Sequence, residues 1–238
     1  YSQVKMWDVI IYNYLRDKGI QIPLVIRQDK SEAYAGAYVK DPQVGLHEWV
    51  VSFDLNSLYP HLIMQYNISP ETIVGMTDTH PGVDNMLEKS YDTGFLKDVN
   101  QTMTPNGALF SRKKHGFLPE LMQKMYTDRS ATKKQMLEAS QKFEETKDVK
   151  YKNVISKLHN KQMALKIALN SAYGAVGNQY FRFFDIRIAE AVTYGGQLSI
   201  RWIENALNEY FNEILKTEGE DYVLASDTDS VYITFEKL

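Results

Sequence analysis

The chain has 238 residues, 44% of them apolar and 24% charged, with a formal net charge of −3 and no cysteine. That mixture suits one large or two small globular domains with a sizeable core, and it excludes disulfides and thiolate metal centres, in keeping with a reducing compartment. No apolar run reaches the roughly 18 residues of a membrane span, and a small negative net charge does not by itself advertise a nucleic-acid binder. The opening Tyr1-Ser2-Gln3 has neither the basic nor the apolar region of a secretory signal, so secretion is not expected. It also lacks an initiator Met, so the chain is expected to begin inside a longer polypeptide.

Val9-Ile10-Ile11-Tyr12-Asn13-Tyr14-Leu15 predicts a short amphipathic helix, ended by breakers at Gly19 and Pro23. Trp49 to Phe53 is apolar and β-branched, which predicts a short, well-buried strand delivering the Asp54 carboxylate at its end. A buried carboxylate is costly unless a cation compensates it; an Asp capping the following helix is the equally weighted alternative. Ser57, Tyr59 and Pro60 read as a turn into that helix. Residues 75–116 scatter Gly, Pro, Asn and Thr among acids and predict loops with one helix.

Leu118-Pro119-Glu120 opens a long helical pattern through Leu121, Met122, Met125, Tyr126, Met136 and Leu137. A second runs from about Tyr151 to Val176, and the two predict an antiparallel helical hairpin joined near Thr146. From Lys124 to Lys166 there are 11 basic and five acidic residues, a charge run that is either a solvated face or a phosphate contact. Residues 186–216 are again helical, with Gly219 as the stop. Two β-rich runs then flank Ser226-Asp227-Thr228-Asp229-Ser230, a hairpin signature with carboxylates at its turn. Laid beside the Asp54 strand, that hairpin brings Asp54, Asp227 and Asp229 to one sheet edge. Such oxygen ligands suit hard divalent cations with coordination left for phosphate and water. Two Mg2+ ions roughly 3.5–4 Å apart, with Mn2+ as a substitute, would activate an attacking hydroxyl and stabilise a pyrophosphate leaving group.

These residues resemble the motifs of family B DNA polymerases. Asp54-Leu55-Asn56-Ser57-Leu58-Tyr59-Pro60 is similar to the DxxSLYP motif, and Asp227-Thr228-Asp229-Ser230 to the DTDS of the third palm motif. Lys166-Ile167-Ala168-Leu169-Asn170-Ser171-Ala172-Tyr173-Gly174 is similar to the KxxxNSxYG of the fingers helix. The likeness covers nearly the whole chain and is strongest toward the replicative polymerases of T-even-type phages, as in Ile68-Ser69-Pro70-Glu71-Thr72.

The resemblance implies Asp54 and Asp229 as the principal metal ligands, with Asp227 and the Leu55 carbonyl beside them. It implies Lys166, Arg129 and Lys133 on the triphosphate, Asn170 reaching the nucleotide, and Tyr173 against the nascent base pair; Asp54, Asp227, Asp229 and Lys166 form the catalytic set. Tyr59 is implied as a steric gate against a 2′-hydroxyl, in a nucleotide-binding turn with Ser57 and Leu58, because a rigid ring rejects one oxygen by overlap. A core role for Tyr59 is the other reading, since the chain has 16 tyrosines. Tyr34-Ala35-Gly36-Ala37 is similar to the connector between exonuclease and polymerase regions, which places Tyr34 and Gly36, together with Gly174, on DNA; an ordinary turn is as compatible with those residues. His61 stands where the family often has Ser, Ala225-Ser226 replace a usual Tyr-Gly, and Ala172 replaces a common Leu.

The expected fold is α/β (α+β), an antiparallel palm sheet with packed helices and a long helical-hairpin fingers insertion. The expected division is 1–107 connector and first part of the palm, 108–180 fingers, and 181–238 second part of the palm, without exonuclease or thumb. The expected function is DNA-directed DNA polymerisation from dNTP onto a primer-template in viral DNA replication, in the cytoplasm of an infected host cell. The alternative is a palm-fingers piece of a split polymerase, inactive or only nucleic-acid-binding without a thumb- or exonuclease-bearing polypeptide. A sliding clamp is a further expected partner.

Overall fold

Apolar spacing and turn chemistry give the described part of the chain, residues 2–24 and 34–236 of this computed structural model, six α-helices and two small antiparallel sheets. This is the mixed α/β organisation expected. The ends of the expected division, Tyr1 and Leu238, lie outside the described residues. Helix α1 (Gln3–Asp17) starts well before the apolar run at Val9 because Ser2 caps it, its Oγ accepting from the Lys5 N–H at 3.3 Å. Trp7, Ile11 and Leu15 recur every four residues and are buried. The Trp7 indole N–H is shared between the Ala168 carbonyl and the Ser171 hydroxyl, both at 3.1 Å. That contact fastens α1 to α5 (Lys150–Val176).

The first sheet orders β1 (Val39–Lys40), β6 (Val223–Asp227), β7 (Ser230–Thr234) and β2 (Val50–Asp54) side by side. The expectation of a well-buried strand before Asp54 is corrected here: every residue of β2 is exposed, Phe53 at 53%. The reason is position. β2 is an edge strand, paired only to β7, and helix α6 (Ile186–Leu215) covers the middle of the sheet instead. Val223, Val231 and Ile233 bury there against Ile200 and Phe211.

A second sheet, ordered β3 (Ile73–Met76), β5 (Ala108–Ser111), β4 (Gln101–Met103), occupies the region expected to be loops and one helix. Its strands are too short to show a period-2 pattern. The signal that marks them is Pro105-Asn106-Gly107, a tight turn with Gly107 at φ +84°. The expected boundary at 107/108 therefore passes through the β4–β5 hairpin. The helical parts are α3 (Val83–Leu87) and a 3₁₀ turn over Gly94–Lys97.

Helix α4 (Phe117–Thr146) and α5 form the antiparallel hairpin expected, with Lys147 closing α4 in the left-handed region at φ 52°. Most of the buried residues of α4 lie in its first turns, whereas those of α5 lie mostly in its last. These roots pack with α1, α2 (Leu58–Tyr66), α6, Phe110 and Phe181 in the larger core cluster. Among the described residues no helix is long and apolar enough to cross a membrane.

Trp7→Ala should cost about 3–5 kcal/mol, because it opens a cavity in the core and removes the indole bond that fastens α1 to α5. Trp202→Ala, at a side chain 62% exposed, should change stability by no more than about 0.5 kcal/mol. Urea unfolding of the two variants checks the contrast.

Candidate active site

Strand pairing builds the centre. Phe53 faces Val231 and Asp54 faces Ser230 across β2 and β7, and the Leu55 N–H donates to the Asp229 carbonyl at 2.7 Å. Thr228 and Asp229 form the two-residue turn between β6 and β7. Thr228 sits at φ 57°, a strained conformation for a β-branched residue. Two bonds hold it: its N–H donates to the Tyr38 carbonyl at 3.0 Å, and its hydroxyl to Asp227 Oδ1 at 2.8 Å. On the other side, Ser57 at φ 55° and ψ 49° turns the chain sharply out of β2 into α2.

A cavity of about 330 Å³ opens between sheet and helices, lined by Asp54, Tyr59, Arg129, Lys166, Asn170 and Asp229, with Asn56, Ser57, Leu58, Pro60 and Thr228. The sheet side is anionic. Partial burial and then the neighbouring Asp54 carboxylate push the Asp229 carboxyl above its ordinary range. Neither Asp54 nor Asp229 forms an ion pair among the described residues. The helix side is cationic, and the Arg129 Nε is buried with no acceptor among the described residues. Two repelling carboxylates without a cation fit a divalent ion, and a guanidinium with an unused N–H fits an anion.

Not every candidate joins this cavity. Asp227 and Lys133 are exposed and do not line it. Among the described residues no three His, Cys, Asp or Glu side chains already stand together as a cation cage. Leu55 takes part through its backbone, and its side chain lines a separate groove with Leu58 and Trp202.

Tyr59 of the lining is backed by two further tyrosines. The Tyr59 and Tyr173 rings are 4.8 Å apart at 54°, and the Tyr173 hydroxyl donates to that of Tyr34 at 3.1 Å. Burial, with Asp229 next, pushes the Tyr59 phenol up to about 12; burial likewise raises Tyr173. Gly196 of α6 lies beneath Tyr59, where an added Cβ would stand 2.9 Å from the ring. Gly36 has no heavy atom within 4 Å of such a Cβ, and its carbonyl accepts from Gln197 Nε2 at 2.6 Å. Gly174 is exposed and meets only Gln3 Oε1, at 3.5 Å. No packing within the described residues requires glycine at Gly36 or Gly174.

One supporting group escaped the sequence reading. The Ser226 hydroxyl donates to the Glu204 carboxylate, and both are buried directly behind the Asp227 turn. Tyr38, raised by burial and then by Glu204, lies beside them with Arg201 over its ring at 5.4 Å. The available signal was helical phase: Glu204 shares the buried face of α6 with Ile200 and Phe211.

Because Asp229 is pushed up by burial and by Asp54, its ionised form costs the fold stability at neutral pH. Asp229→Asn should therefore leave the chain as stable or more stable in EDTA at pH 7. That difference should vanish as pH falls through the raised pKa, where Asp229 is already neutral. Urea midpoints at the two pH values test the sign.

The sequence model of DNA polymerase family B matches residues 2–237. The DNA-directed DNA polymerase of Escherichia phage RB69 is 35% identical, over 100% of this chain and 30% of the phage protein. That of Enterobacteria phage T4 is 32% identical with the same two coverages, 100% and 30%. The DNA polymerase delta catalytic subunit of Candida albicans is 30% identical over 98% of this chain and 21% of its own length. The chain thus spans 30% of the length of the phage relatives, and the motifs gathered around the cavity lie inside the matched region. With a match from residue 2 to residue 237, this chain belongs to DNA polymerase family B.

Proposed function

We propose that the chain carries the nucleotidyl-transfer centre of a DNA-directed DNA polymerase, adding dNTP to a primer 3′-hydroxyl on a DNA template during viral DNA replication in the host cell. One observation carries this reading: a single cavity sets two uncompensated carboxylates from the sheet against the Arg129 and Lys166 cations from the helical hairpin, with Tyr59 in its lining. In this reading the hairpin within 108–180 is the fingers, and residues 1–107 and 181–238 contribute the palm.

Asp54 and Asp229, with the Leu55 carbonyl and Asp227 adjacent, would hold two magnesium or manganese ions. Bound ions of that kind supply positive charge that lowers the hydroxyl pKa and neutralises departing pyrophosphate. Arg129 grips phosphate oxygens in a fork, and Lys166 adds a mobile point charge to the leaving group. Asn170, one turn after Lys166, orients the same triphosphate. Lys133 lies one turn beyond Arg129 outside the cavity, and it joins them when the hairpin swings inward. Tyr59 packs under the sugar and excludes a 2′-hydroxyl. Tyr173 and Tyr34 carry that wall toward the template, beside Gly36 and Gly174. These residues act by positioning and charge neutralisation, and no covalent intermediate is needed.

A second reading is that the chain works only with a thumb- or exonuclease-bearing polypeptide. Its favouring observation is the apolar strip near β2: Leu46 is 91% exposed and Trp49 77%.

Single-nucleotide primer extension with magnesium tests both. Asp229→Ala should lower extension at least about 10²–10³-fold, and Tyr59→Ala should raise ribonucleotide insertion relative to dNTP by about 10²-fold. Extension undiminished in Asp229→Ala would refute the first reading. A folded but inactive chain that gains activity when the thumb-bearing region is added in trans would establish the second.

A further inference from the structure

From outside the nucleotide cavity, His61 touches Ser57 of its lining and Tyr126 of the helix that carries Arg129. Its Nδ1 lies 2.9 Å from the Ser57 carbonyl, which also accepts the His61 backbone N–H at 3.1 Å. A carbonyl only accepts, so Nδ1 carries the proton. The bond pins the left-handed Ser57, from which Leu58 and Tyr59 enter the cavity lining. The same ring stands edge-on to Tyr126 of α4, 4.7 Å between centroids at 80°. Tyr126 lies three residues before Arg129, hence on the same side of α4. A Ser at position 61 reaches its own backbone and not that ring.

Resting on the polymerase reading above, we propose that His61 is a positioning residue that couples the Tyr59 turn to the helix carrying Arg129. The imidazole N–H sets sugar discrimination through Ser57 and Tyr59. The ring edge sets triphosphate affinity through Tyr126 and Arg129. Because the contacts are separable, so are their losses. His61→Asn retains a donor for Ser57 and lacks the ring; His61→Phe retains a ring and lacks the donor.

The experiment measures equilibrium binding of a fluorescent dNTP to the 238-residue chain on a dideoxy-terminated primer-template with magnesium. Extension kinetics with dNTP and rNTP follow wherever extension is detected, and thermal unfolding confirms that each variant is folded. His61→Asn should weaken dNTP binding about threefold to tenfold, the loss appearing in KM rather than kcat, while dNTP over rNTP preference is retained. His61→Phe should show the reverse, near-native dNTP affinity with reduced preference. Tyr126→Leu should mimic His61→Asn in affinity and add nothing to it in the double variant.

His61 variants that bind and discriminate like the parent, while Arg129→Ala loses affinity and Tyr59→Ala loses preference, would overturn the coupling and leave the polymerase reading intact. Equal loss of both properties in His61→Asn and His61→Phe would reduce His61 to a packing residue. A parent chain that binds no dNTP even with the thumb-bearing region added in trans would overturn both readings.

Discussion

The register of β2 on β7 is the constraint on which the candidate site depends. It sets Asp54 opposite Ser230, one residue from Asp229, and the Leu55 N–H on the Asp229 carbonyl. A one-residue slip would send Asp54 to the other face of the sheet. Because β2 buries little, its register rests on ladder hydrogen bonds and on left-handed residues at both ends, Trp49 and Ser57. The carboxylates so placed repel each other, and the strained Thr228 lies between Asp227 and Asp229. Such features persist only where the surrounding fold over-determines them.

Two helices do most of that determining. Along α5, Lys166, Asn170, Tyr173 and Gly177 follow one stripe, so cavity-lining groups pass into ring contacts without a change of element. Along α6, Gly196 makes room for Tyr59, Gln197 holds the Gly36 carbonyl, and Glu204 holds Ser226. A single rigid rod therefore indexes the Tyr59 turn, the Gly36 segment and the carboxylate hairpin against each other. Glu204 is an expensive residue to bury, and the nearby hydroxyls of Ser226 and Tyr38 offset that cost.

Long elements with strong local signals were legible in the sequence. The helical hairpin and α6 show clear 3.6-residue spacing, and the carboxylates sit at a recognisable turn. What was not legible depends on neighbours distant in sequence. Trp49-Val50-Val51-Ser52-Phe53 has the composition of a buried strand, yet no composition says whether a strand will be central or at an edge. The β3–β5–β4 sheet was missed because strands of three or four residues are held by pairing rather than by pattern, although Asn106-Gly107 marked their turn. His61 and Glu204 were opaque for a related reason. A single imidazole or carboxylate means little until its partners, Ser57 and Tyr126 or Ser226 and Tyr38, are in place beside it.

The unequal burial of the long hairpin gives it the mechanics of a lever. Thirty residues at 1.5 Å each make α4 about 45 Å long, with its fulcrum in the core near Leu118 and Met122. A tilt of about 10° at that fulcrum displaces the far tip, about 39 Å beyond it, by about 7 Å but moves Arg129, some 13 Å beyond it, only about 2 Å. Small repacking at the root is thus geared to fine adjustment at the Arg129 side of the cavity and to a large sweep at the exposed end. Anything that grips the tip would hold the strong arm of that lever.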